Sequence, residues 1–450
     1  MPTVTLFEHQ RRPYADLGWD GDHPALAQLE QLNEDAGAEL IHLGRTYLRA
    51  TQFVGVIRVG ETTLQILPKI DYERAGSSDA LAGSIPFQIA VDSAARNFLY
   101  LLSYAQDLQI KRQDTTPLLA HRSDWFELLT RLLAAELHRQ MKQGLHRSYV
   151  QLEETLRVIR GRWQLDRQLT RRPHVRHLFD VTYDDFSPDT LLNRIFQYVV
   201  GCLLFHSQEP GNRRLLRDLS KWLVDVEQLG EIPQADLDSM HFTRLTERFR
   251  PAFNLARLFV ENRAFQLAAG GHQTFAFVFD MNRLFEKFVY GFIARHRRQI
   301  LTDGWGGVRV REQAKGRPTY LAEKLPGGQR VFQLSPDILF TRPSGRAVLI
   351  LDTKYKELAD GQRKQGVSES DMYQMLAYAV ALDCRQTLLL YPQQAGSPPI
   401  LARFEMLGYP NTVIAATINL RRPLDRPDEL IQELNNTLKE VCHSGPHLRA

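Results

Sequence analysis

The sequence predicts a multidomain α+β protein with a small β-rich N-terminal domain, a mainly helical middle region and a C-terminal α/β core in which helices flank a mixed sheet. Domains usually contain ~100 to 200 residues, so a chain of 450 residues is expected to form more than one domain. Hydrophobic residues (43%) and charged residues (24%) occur at the frequencies of globular proteins, which argues against disorder. The apolar pattern changes along the chain, and we place domains at residues 1–115, 116–265 and 266–450.

The N-terminal domain contains a strong hairpin pattern. Two β-rich runs, 53–59 and 62–67, are separated by Gly60-Glu61, and Pro68 ends the second run. A small, polar segment over 71–84 predicts a loop, and a helix is predicted from about 93 to 107. This domain is therefore expected to be a mixed β-rich module.

The middle region is mainly helical. Apolar spacing and capping residues predict helices over 124–143, 188–205, 213–226 and 251–267. Residues 149–165 alternate partly and predict strands around a turn at Gly161.

The C-terminal region changes to short β-rich runs between helices, which is typical of a mixed sheet flanked by helices. The predicted helices are 281–297, 371–382 and 428–441, and the predicted strands are 308–311, 331–334, 337–340, 347–354, 387–391 and 412–418.

Charge and cysteine usage exclude several classes of protein. The formal net charge of +4 is far from that of a histone-like polycation, so any nucleic-acid contact must come from local patches. The 3 cysteines are odd in number and never paired as CxxC, which argues against a disulfide framework and fits a reducing cytoplasm. No apolar run approaches the ~20 residues of a membrane span, so we expect a soluble, unexported protein.

Two carboxylates and a lysine are predicted to converge in the C-terminal region. Alternate side chains of a strand share a face, so Asp352 and Lys354 are neighbours at the end of the apolar run 347–354. A turn at 343–345 would bring Asp337, which begins the preceding strand, beside Asp352. Charged groups at a buried strand end are costly unless they pair or bind a ligand.

Metal-assisted phosphodiester hydrolysis requires groups of this kind. Carboxylate oxygens hold Mg²⁺ or Mn²⁺ against a phosphate, and a lysine positions the attacking water or helps to deprotonate it. The segments Pro336-Asp337 and Asp352-Thr353-Lys354 resemble the core motif of PD-(D/E)xK nucleases. The resemblance implies that Asp337, Asp352 and the Thr353 carbonyl hold the metal, and that Lys354 is catalytic. The simpler interpretation is a surface salt bridge between Asp352 and Lys354.

Three further residues fit the same chemistry. Gln374 and Tyr378 lie four residues apart on the next predicted helix and can face one site. They resemble the Gln-x-x-x-Tyr element of RecB-like nucleases, which implies a catalytic role. Glu286 lies on an upstream helix, where this superfamily often carries an additional acidic ligand for metal or water. The alternatives are ordinary helix residues for the first two, and a solvated carboxylate paired with Arg283 or Lys287 for Glu286.

Over nearly its whole length the chain resembles the McrC subunit of McrBC modified-cytosine restriction systems. The matching stretches occur in the family's order: FVGVIRVGETTLQILPKI (53–70), LRVIRGRW (156–163), YDDFSPDTLLNRI (183–195), FDMNRLFEKFV (279–289), PDILF (336–340), LILDTKYK (349–356) and SDMYQMLAYA (370–379). We interpret the pairs Arg160-Gly161 and Asn193-Arg194 as structural marks of the family, without assigned chemistry.

The resemblance implies a Mg²⁺- or Mn²⁺-dependent endonuclease subunit that cuts methylated double-stranded DNA. Its N-terminal half would dock on an McrB-like hexameric AAA+ GTPase and stimulate GTP hydrolysis. The sequence contains no GxxxxGK[ST] phosphate loop, and its nearest approach, 55–62, has Glu61 in place of the lysine. GTP is therefore expected to be bound by the partner and not by this chain. Cleavage of both strands by a single-site nuclease also predicts that two copies meet.

Basic residues cluster in two segments. Residues 157–177 hold seven arginines and one acid, a composition suited to neutralising phosphates. A second basic segment follows the catalytic strand. The DNA-binding candidates are Arg160, Arg162, Arg167, Arg171, Arg172, Lys356, Arg363 and Lys364. The alternatives are a solvated, ion-paired surface and a cation that reaches the partner's nucleotide site.

Two other functions compete with this prediction. A stand-alone RecB-like DNA repair nuclease is disfavoured because the chain has no helicase motif and no cysteine cluster. A non-catalytic adaptor of an AAA+ ring is disfavoured because Asp337, Asp352 and Lys354 are all present.

Overall fold

A computed structural model describes residues 3–70, 85–108, 124–170, 177–267, 273–302, 304–312, 318–356, 366–394, 397–422 and 426–443. The predicted loop over 71–84 lies outside these residues, as do the DNA-binding candidates Arg171, Arg172, Arg363 and Lys364. No helix in this part of the chain has the length and apolarity needed to cross a membrane.

Helices follow the predicted capping residues. Asp124 and Asp280 each accept a hydrogen bond from a backbone N–H in the first turn of the helix that they begin. The helices in the described ranges are α1 (Pro24–Ala36), α2 (Ile85–Ala105), α3 (Trp125–Met141), α4 (Leu165–Leu169), α5 (Leu191–His206), α6 (Pro210–Trp222), α7 (Gln234–Ser239), α8 (Arg250–Glu261), α9 (Met281–Arg295), α10 (Arg297–Ile300), α11 (Glu369–Ala381) and α12 (Asp428–His443).

Strands occupy most of the predicted β-rich runs. They are β1 (Thr3–Phe7), β2 (Arg11–Pro13), β3 (Ile41–Leu43), β4 (Tyr47–Ala50), β5 (Phe53–Val59), β6 (Thr62–Leu67), β7 (Ser148–Leu156), β8 (Arg162–Trp163), β9 (Phe179–Ser187), β10 (Arg263–Leu267), β11 (Gln273–Asp280), β12 (Arg309–Glu312), β13 (Thr319–Lys324), β14 (Gln329–Leu334), β15 (Ile338–Thr341), β16 (Ala347–Thr353), β17 (Gln386–Pro392), β18 (Ile400–Glu405) and β19 (Thr412–Ile418). The predicted helix over 251–267 is wrong at its end, since α8 stops at Glu261 and β10 follows.

The chain packs into two compact units, which gives a mixed α+β protein with more than one domain. One unit combines Met1–Arg122 with Ala264–Ala450, and the other is Ser123–Arg263. The three ranges predicted along the sequence, 1–115, 116–265 and 266–450, stay a prediction. In the structure, packing groups the first and last parts of the chain.

The first sheet of the larger unit mixes strands from both of its parts, in the order β1-β6-β5-β11-β10. The predicted hairpin is confirmed, because β5 and β6 pair antiparallel with Val59 opposite Thr62. β11 joins the other side of β5, with Asp280 opposite Phe53. Since Asp280 caps α9, the N-terminal hairpin sets the position of that helix.

Helices α2 and α9 pack against each other at close range. A Cβ added at Gly291 on α9 would lie 2.3 Å from the backbone oxygen of Tyr104 on α2, so only glycine fits there. Phe285, Phe288 and Phe292 are fully buried on α9, which also packs against β16. This packing brings α9 beside the second sheet.

The second sheet of this unit is mixed and has the order β12-β15-β16-β17-β19-β18. β15 and β16 form an antiparallel hairpin, β16, β17 and β19 run parallel, and β18 returns antiparallel to β19. α11 packs on β16 and β17, and α12 packs on β19. The predicted strand over 331–334 is confirmed as part of β14. Within the described residues β14 pairs with β13 in a separate two-stranded hairpin and does not join the mixed sheet.

The smaller unit contains helices and a three-stranded sheet of order β7-β9-β8. The Asn193-Arg194 pair is structural here. Asn193 is fully buried and donates to the carbonyls of His146 and Pro188. Arg194 forms a two-pronged ion pair with Asp189. These contacts fix the start of α5 against the residues just before β7 and just after β9.

Gly161 turns the chain into β8. Its φ of +72° suits glycine, and a Cβ there would lie 2.4 Å from the carbonyl oxygen of Thr182 on β9. The predicted turn is therefore confirmed, although its partner strand β9 was not predicted.

Candidate active site

The hairpin of β15 and β16 places the two predicted aspartates side by side. The register pairs Ile338 with Leu351, so Asp337 and Asp352, one residue further on each strand, come to the same end of the pair. Leu349, Ile350 and Leu351 are fully buried, as a central strand requires. The alternation of side chains along the strands therefore places two acids at the same buried end of β15 and β16.

Asp337 is held by the residue after Asp352. Its Oδ2 accepts hydrogen bonds from Thr353 N at 2.7 Å and from Thr353 Oγ1 at 2.6 Å. Burial raises the pKa of Asp337 above its ordinary value, and the two Thr353 hydrogen bonds offset part of that rise. The two hydrogen bonds thus orient the Asp337 carboxylate and compensate only part of the cost of burying its charge.

Asp352 is a buried carboxylate with one close cation. Its side chain is 1% exposed, and Lys354 Nζ lies 2.6 Å from Oδ2. Oδ2 makes this ion pair but no aligned hydrogen bond. Burial, reinforced by the Asp337 charge, raises the pKa of Asp352 to about 7, although Lys354 opposes the rise. The surface salt bridge considered above does not describe this pair, because its acid is buried.

Lys354 is positioned by a chain of hydrogen bonds from α11. Its Nζ donates to Gln374 Oε1 at 2.9 Å, Gln374 Nε2 donates to Tyr378 OH at 2.7 Å, and that hydroxyl donates to the Ser335 carbonyl at 2.8 Å. Burial alone would lower the pKa of Lys354, but the Asp352 charge raises it above its ordinary value. Gln374 and Tyr378 therefore belong to the site, and Lys354 is an ammonium at neutral pH in this arrangement.

Glu286 is half-buried on α9, and its pKa is affected by the charges of Asp337 and Asp352. Burial first, and then the carboxylates of Asp337, Glu312 and Asp352, raise the pKa of Glu286 to about 7. Lys287 lowers the pKa by a smaller effect. Glu286 thus lies in the field of the two aspartates, which the interpretation as a solvated helix residue does not explain.

Glu312 was missed by sequence reasoning. It ends β12 opposite Ile338, next to Asp337, and contributes to the raised pKa of Glu286. The only signal in the sequence is an acid directly after the predicted strand 308–311. Its relevance depends on the pairing of β12 with β15, which the sequence pattern does not specify.

The donor set suits a hard divalent cation. No group of three or more His, Cys, Asp or Glu side chains within the described ranges is already arranged to hold a metal ion. Mg²⁺, however, usually keeps several waters and binds through one or two carboxylates. Asp337 and Asp352 supply these, with Glu286 near. Burial first, and then repulsion between the carboxylates, raise the pKa values of Asp352 and Glu286, and a bound cation would offset both effects. The residues therefore fit the predicted metal, while the Thr353 carbonyl as a ligand stays a prediction.

Lys356 is engaged at the start of α11. Its Nζ pairs with Asp371, and the Ser368 hydroxyl lies 3.4 Å from the same amine. Ser368 and Asp371 form the capping box of α11, so this lysine ties the segment after β16 to that helix. Its predicted contact with DNA stays a prediction.

The described arginines of the middle segment lie on the smaller unit. Arg160 lies over the Tyr183 ring at 3.9 Å and pairs with Asp185 at 3.0 Å. Arg167 pairs with Glu153 at 2.8 Å, whereas Arg162 is exposed at the start of β8. Ion-pairing within the chain thus accounts for part of this cluster, and DNA binding by these arginines stays a prediction.

Comparison with known sequences points to one family. A family described as McrBC 5-methylcytosine restriction system component matches residues 48–392, a range that includes every candidate catalytic residue named above. The type IV methyl-directed restriction enzyme EcoKMcrBC of Escherichia coli (strain K12) is 24% identical in an alignment of 322 residues that covers 66% of this chain and 85% of that protein.

Comparison with solved structures shows the same fold. A chain in the refined half-complex from a tetradecameric assembly of Thermococcus gammatolerans McrB AAA+ hexamers with bound McrC matches with a TM-score of 0.63 and 22% identity, covering 98% of this chain and 100% of that one. A chain in the cryo-EM structure of the Thermococcus gammatolerans McrBC complex matches with a TM-score of 0.50 and 27% identity over 66% of this chain and 88% of that one.

Proposed function

We propose, because this chain belongs to the family of McrBC 5-methylcytosine restriction system components, that it is the Mg²⁺-dependent endonuclease subunit of a GTP-dependent modified-cytosine restriction system. The observation that carries the proposal is the placement of Asp337, Asp352 and Lys354 at one buried end of β15 and β16. This is the arrangement expected of a PD-(D/E)xK nuclease core.

The proposed hydrolysis of phosphodiesters depends on the charged side chains at this end of β15 and β16. Asp337 and Asp352 would hold the metal, with Glu286 as a third acid, and a bound Mg²⁺ or Mn²⁺ would stabilise negative charge on the phosphate. Lys354, as an ammonium, places a positive charge where the attacking oxygen and the scissile phosphate must meet. Gln374 and Tyr378 keep that ammonium from rotating away, because they fix it from α11.

The substrate and partner follow from family membership. The Escherichia coli relative is a methyl-directed restriction enzyme, and the Thermococcus gammatolerans assembly contains McrB AAA+ hexamers with bound McrC. We extend this to the present chain: its substrate is methylated double-stranded DNA, and its partner is an McrB-like AAA+ GTPase that binds GTP and whose hydrolysis this chain stimulates. The exposed Arg162, with its neighbours on β7 to β9, would contact the DNA backbone.

The proposal is tested by removing one metal-binding charge. Asp337→Asn keeps the side-chain volume and leaves an oxygen to accept from Thr353, so the fold should survive. Cleavage of methylated DNA by the complex with the McrB-like partner, GTP and Mg²⁺ should fall by on the order of 100-fold or more. Glu405→Ala, an exposed change at the far edge strand β18 of the same sheet, is the matched control and should cut normally. Undiminished cleavage by Asp337→Asn would refute the nuclease assignment.

A further inference from the structure

The buried carboxylate of Glu8 joins the N-terminal sheet to the end of the catalytic strand. Glu8 directly follows β1 and is 4% exposed. Its Oε2 accepts a hydrogen bond from Tyr355 OH at 2.8 Å and another from the backbone N–H of Lys69 at 3.0 Å. A buried carboxylate is costly unless it is bonded, and these two contacts to Oε2 offset part of that cost.

The acceptor of this link is anchored in the first sheet. The Glu8 backbone N–H donates to the Leu67 carbonyl at 2.9 Å, which continues the pairing of β1 with β6 past the end of the strand. Lys69 lies just after β6 and binds the same carboxylate through its backbone. The position of Oε2 is therefore fixed by two strands of the N-terminal sheet.

The donor of this link is the residue next to Lys354. Tyr355 is 8% exposed, and its ring lies 5.7 Å from that of Phe285, the residue before Glu286 on α9. Lys354 Nζ reaches Asp352, whereas the hydroxyl of Tyr355 reaches Glu8, so consecutive side chains extend to different partners. Because β16 ends at Thr353, the backbone that carries Lys354 is no longer held by regular pairing on both sides.

The side chain of Lys354 is held by Asp352 and Gln374, and its backbone is restrained separately. On the sheet side its backbone N–H donates to the Leu390 carbonyl at 2.9 Å. The bond from Tyr355 to Glu8 supplies the restraint one residue further along, outside the second sheet. Loss of that bond would remove this restraint from the first sheet, whereas the Phe285 ring contact and the Lys356–Asp371 pair would remain, so we expect a small displacement of Lys354 and not a loss of the fold.

We propose that Glu8 is a positioning residue of the nuclease: through Tyr355 it holds Lys354 in register with Asp352. Glu8 touches none of the reacting groups. This inference rests on the proposed nuclease function and assigns part of the active-site geometry to the N-terminal sheet.

The test compares three variants of the full chain, each in complex with the McrB-like partner, GTP and Mg²⁺. Glu8→Ala and Tyr355→Phe each break the link from one side. Each should lower the maximal rate of DNA cleavage, the first by on the order of 10- to 100-fold because a misplacement of about 1 Å has effects of that size. Glu8→Gln should stay within about 3-fold of the wild type, because the amide oxygen can accept both hydrogen bonds.

Two readouts and two further variants separate positioning from a general structural effect. The DNA concentration for half-maximal cleavage and the stimulation of partner GTP hydrolysis should both be unchanged. The double variant Glu8→Ala/Tyr355→Phe should be no slower than Glu8→Ala, since both changes remove one interaction. Asn33→Ala, which removes hydrogen bonds to Leu40 and Ile41 elsewhere in the N-terminal part, should cut at the wild-type rate.

Each contrary result has a defined meaning. A wild-type maximal rate in Glu8→Ala, fully additive effects in the double variant, or a parallel loss of GTPase stimulation would overturn the proposal. If Glu8→Ala fails to fold, Tyr355→Phe decides, and an unchanged maximal rate overturns it. Asp352→Ala separates the nuclease assignment from the role of Glu8. Normal cleavage by Asp352→Ala refutes the nuclease assignment. Loss of cleavage in Asp352→Ala together with normal cleavage by Glu8→Ala refutes only the role of Glu8.

Discussion

Asp337 and Thr353 are joined by two hydrogen bonds, from the Thr353 N–H at 2.7 Å and from its hydroxyl at 2.6 Å to one carboxylate oxygen. The bonds connect the residue before β15 with the last residue of β16. They hold the two acids in fixed relation while leaving the second Asp337 oxygen for a ligand. The residue between the acid and the lysine of the motif thus has an orienting role.

Thr353→Val should slow DNA cleavage by about 10- to 100-fold, the size expected when one hydrogen bond to a charged group is lost. The backbone N–H bond would remain, so the fold should be preserved. Thr353→Ser keeps the hydroxyl and should cut at close to the wild-type rate. Single-turnover cleavage by the complex with the partner measures both. If the valine variant matched the serine variant, the hydroxyl would have no orienting role.

Metal binding should stabilise the protein more at about pH 8 than at about pH 6. The pKa values of Asp352 and Glu286 are both raised to about 7, from ordinary values of 3.8 and 4.5, by burial first and then by neighbouring carboxylates. A raised acid pKa favours folding at low pH, and that contribution is lost as the pH rises through about 7, where the charged forms repel each other. Mg²⁺ would offset this loss.

The measurement is the shift of the melting temperature on adding Mg²⁺, taken at several pH values. Asp352→Asn is the control, because removing one of the two charges should raise the melting temperature without metal and reduce its dependence on pH. A Mg²⁺-induced shift that is equal at all pH values would contradict the electrostatic account of the site.

Gly291→Ala should destabilise the protein by about 1 to 3 kcal/mol, as overpacking of a tight contact does. The added methyl group would lie 2.3 Å from the Tyr104 carbonyl oxygen and push α2 away from α9. Gly201→Ala on α5 is the matched control: it meets open space and should be neutral or stabilising by up to about 1 kcal/mol. Chemical denaturation of both variants measures the free energies of unfolding, and equal values would refute close packing at Gly291.

Arg162→Ala should weaken binding of duplex DNA and lower the slope of log affinity against log salt by about 1, if this arginine neutralises one phosphate. Arg162 is exposed on β8, beside the ion-paired Arg160. Arg217→Ala, an exposed change on α6 outside the cluster, should leave both quantities unchanged. Fluorescence anisotropy at several salt concentrations gives the slopes. Identical slopes for Arg162→Ala and the wild type would assign the cluster to a solvated surface.

Local sequence patterns predicted the elements that depend on neighbouring residues. The hairpin of β5 and β6, the apolar strand β16 and the meeting of Asp337 with Asp352 all follow from side-chain alternation and short turns. The spacing of Gln374 and Tyr378 on one helix likewise predicted that both reach the same site.

Distant pairings could not be predicted in this way. β11 joins β5 across about half of the chain, and Glu8 meets Tyr355 over a separation of 347 residues. Glu312 becomes part of the acidic site only because β12 lies beside β15. No local periodicity encodes such contacts, since they depend on which strands share a sheet. For the same reason, the packing of the first and last parts of the chain into one unit was not expected.

The nuclease assignment is best tested with the Asp352→Asn variant. The rates of DNA strand cleavage and of GTP hydrolysis are measured together in one reaction that contains the McrB-like partner, methylated DNA and Mg²⁺. The asparagine keeps the shape of the buried side chain and removes its charge. We expect cleavage to fall by on the order of 100-fold or more while GTP hydrolysis by the partner is still stimulated. Cleavage at the wild-type rate would show that the Asp352 charge has no part in the reaction.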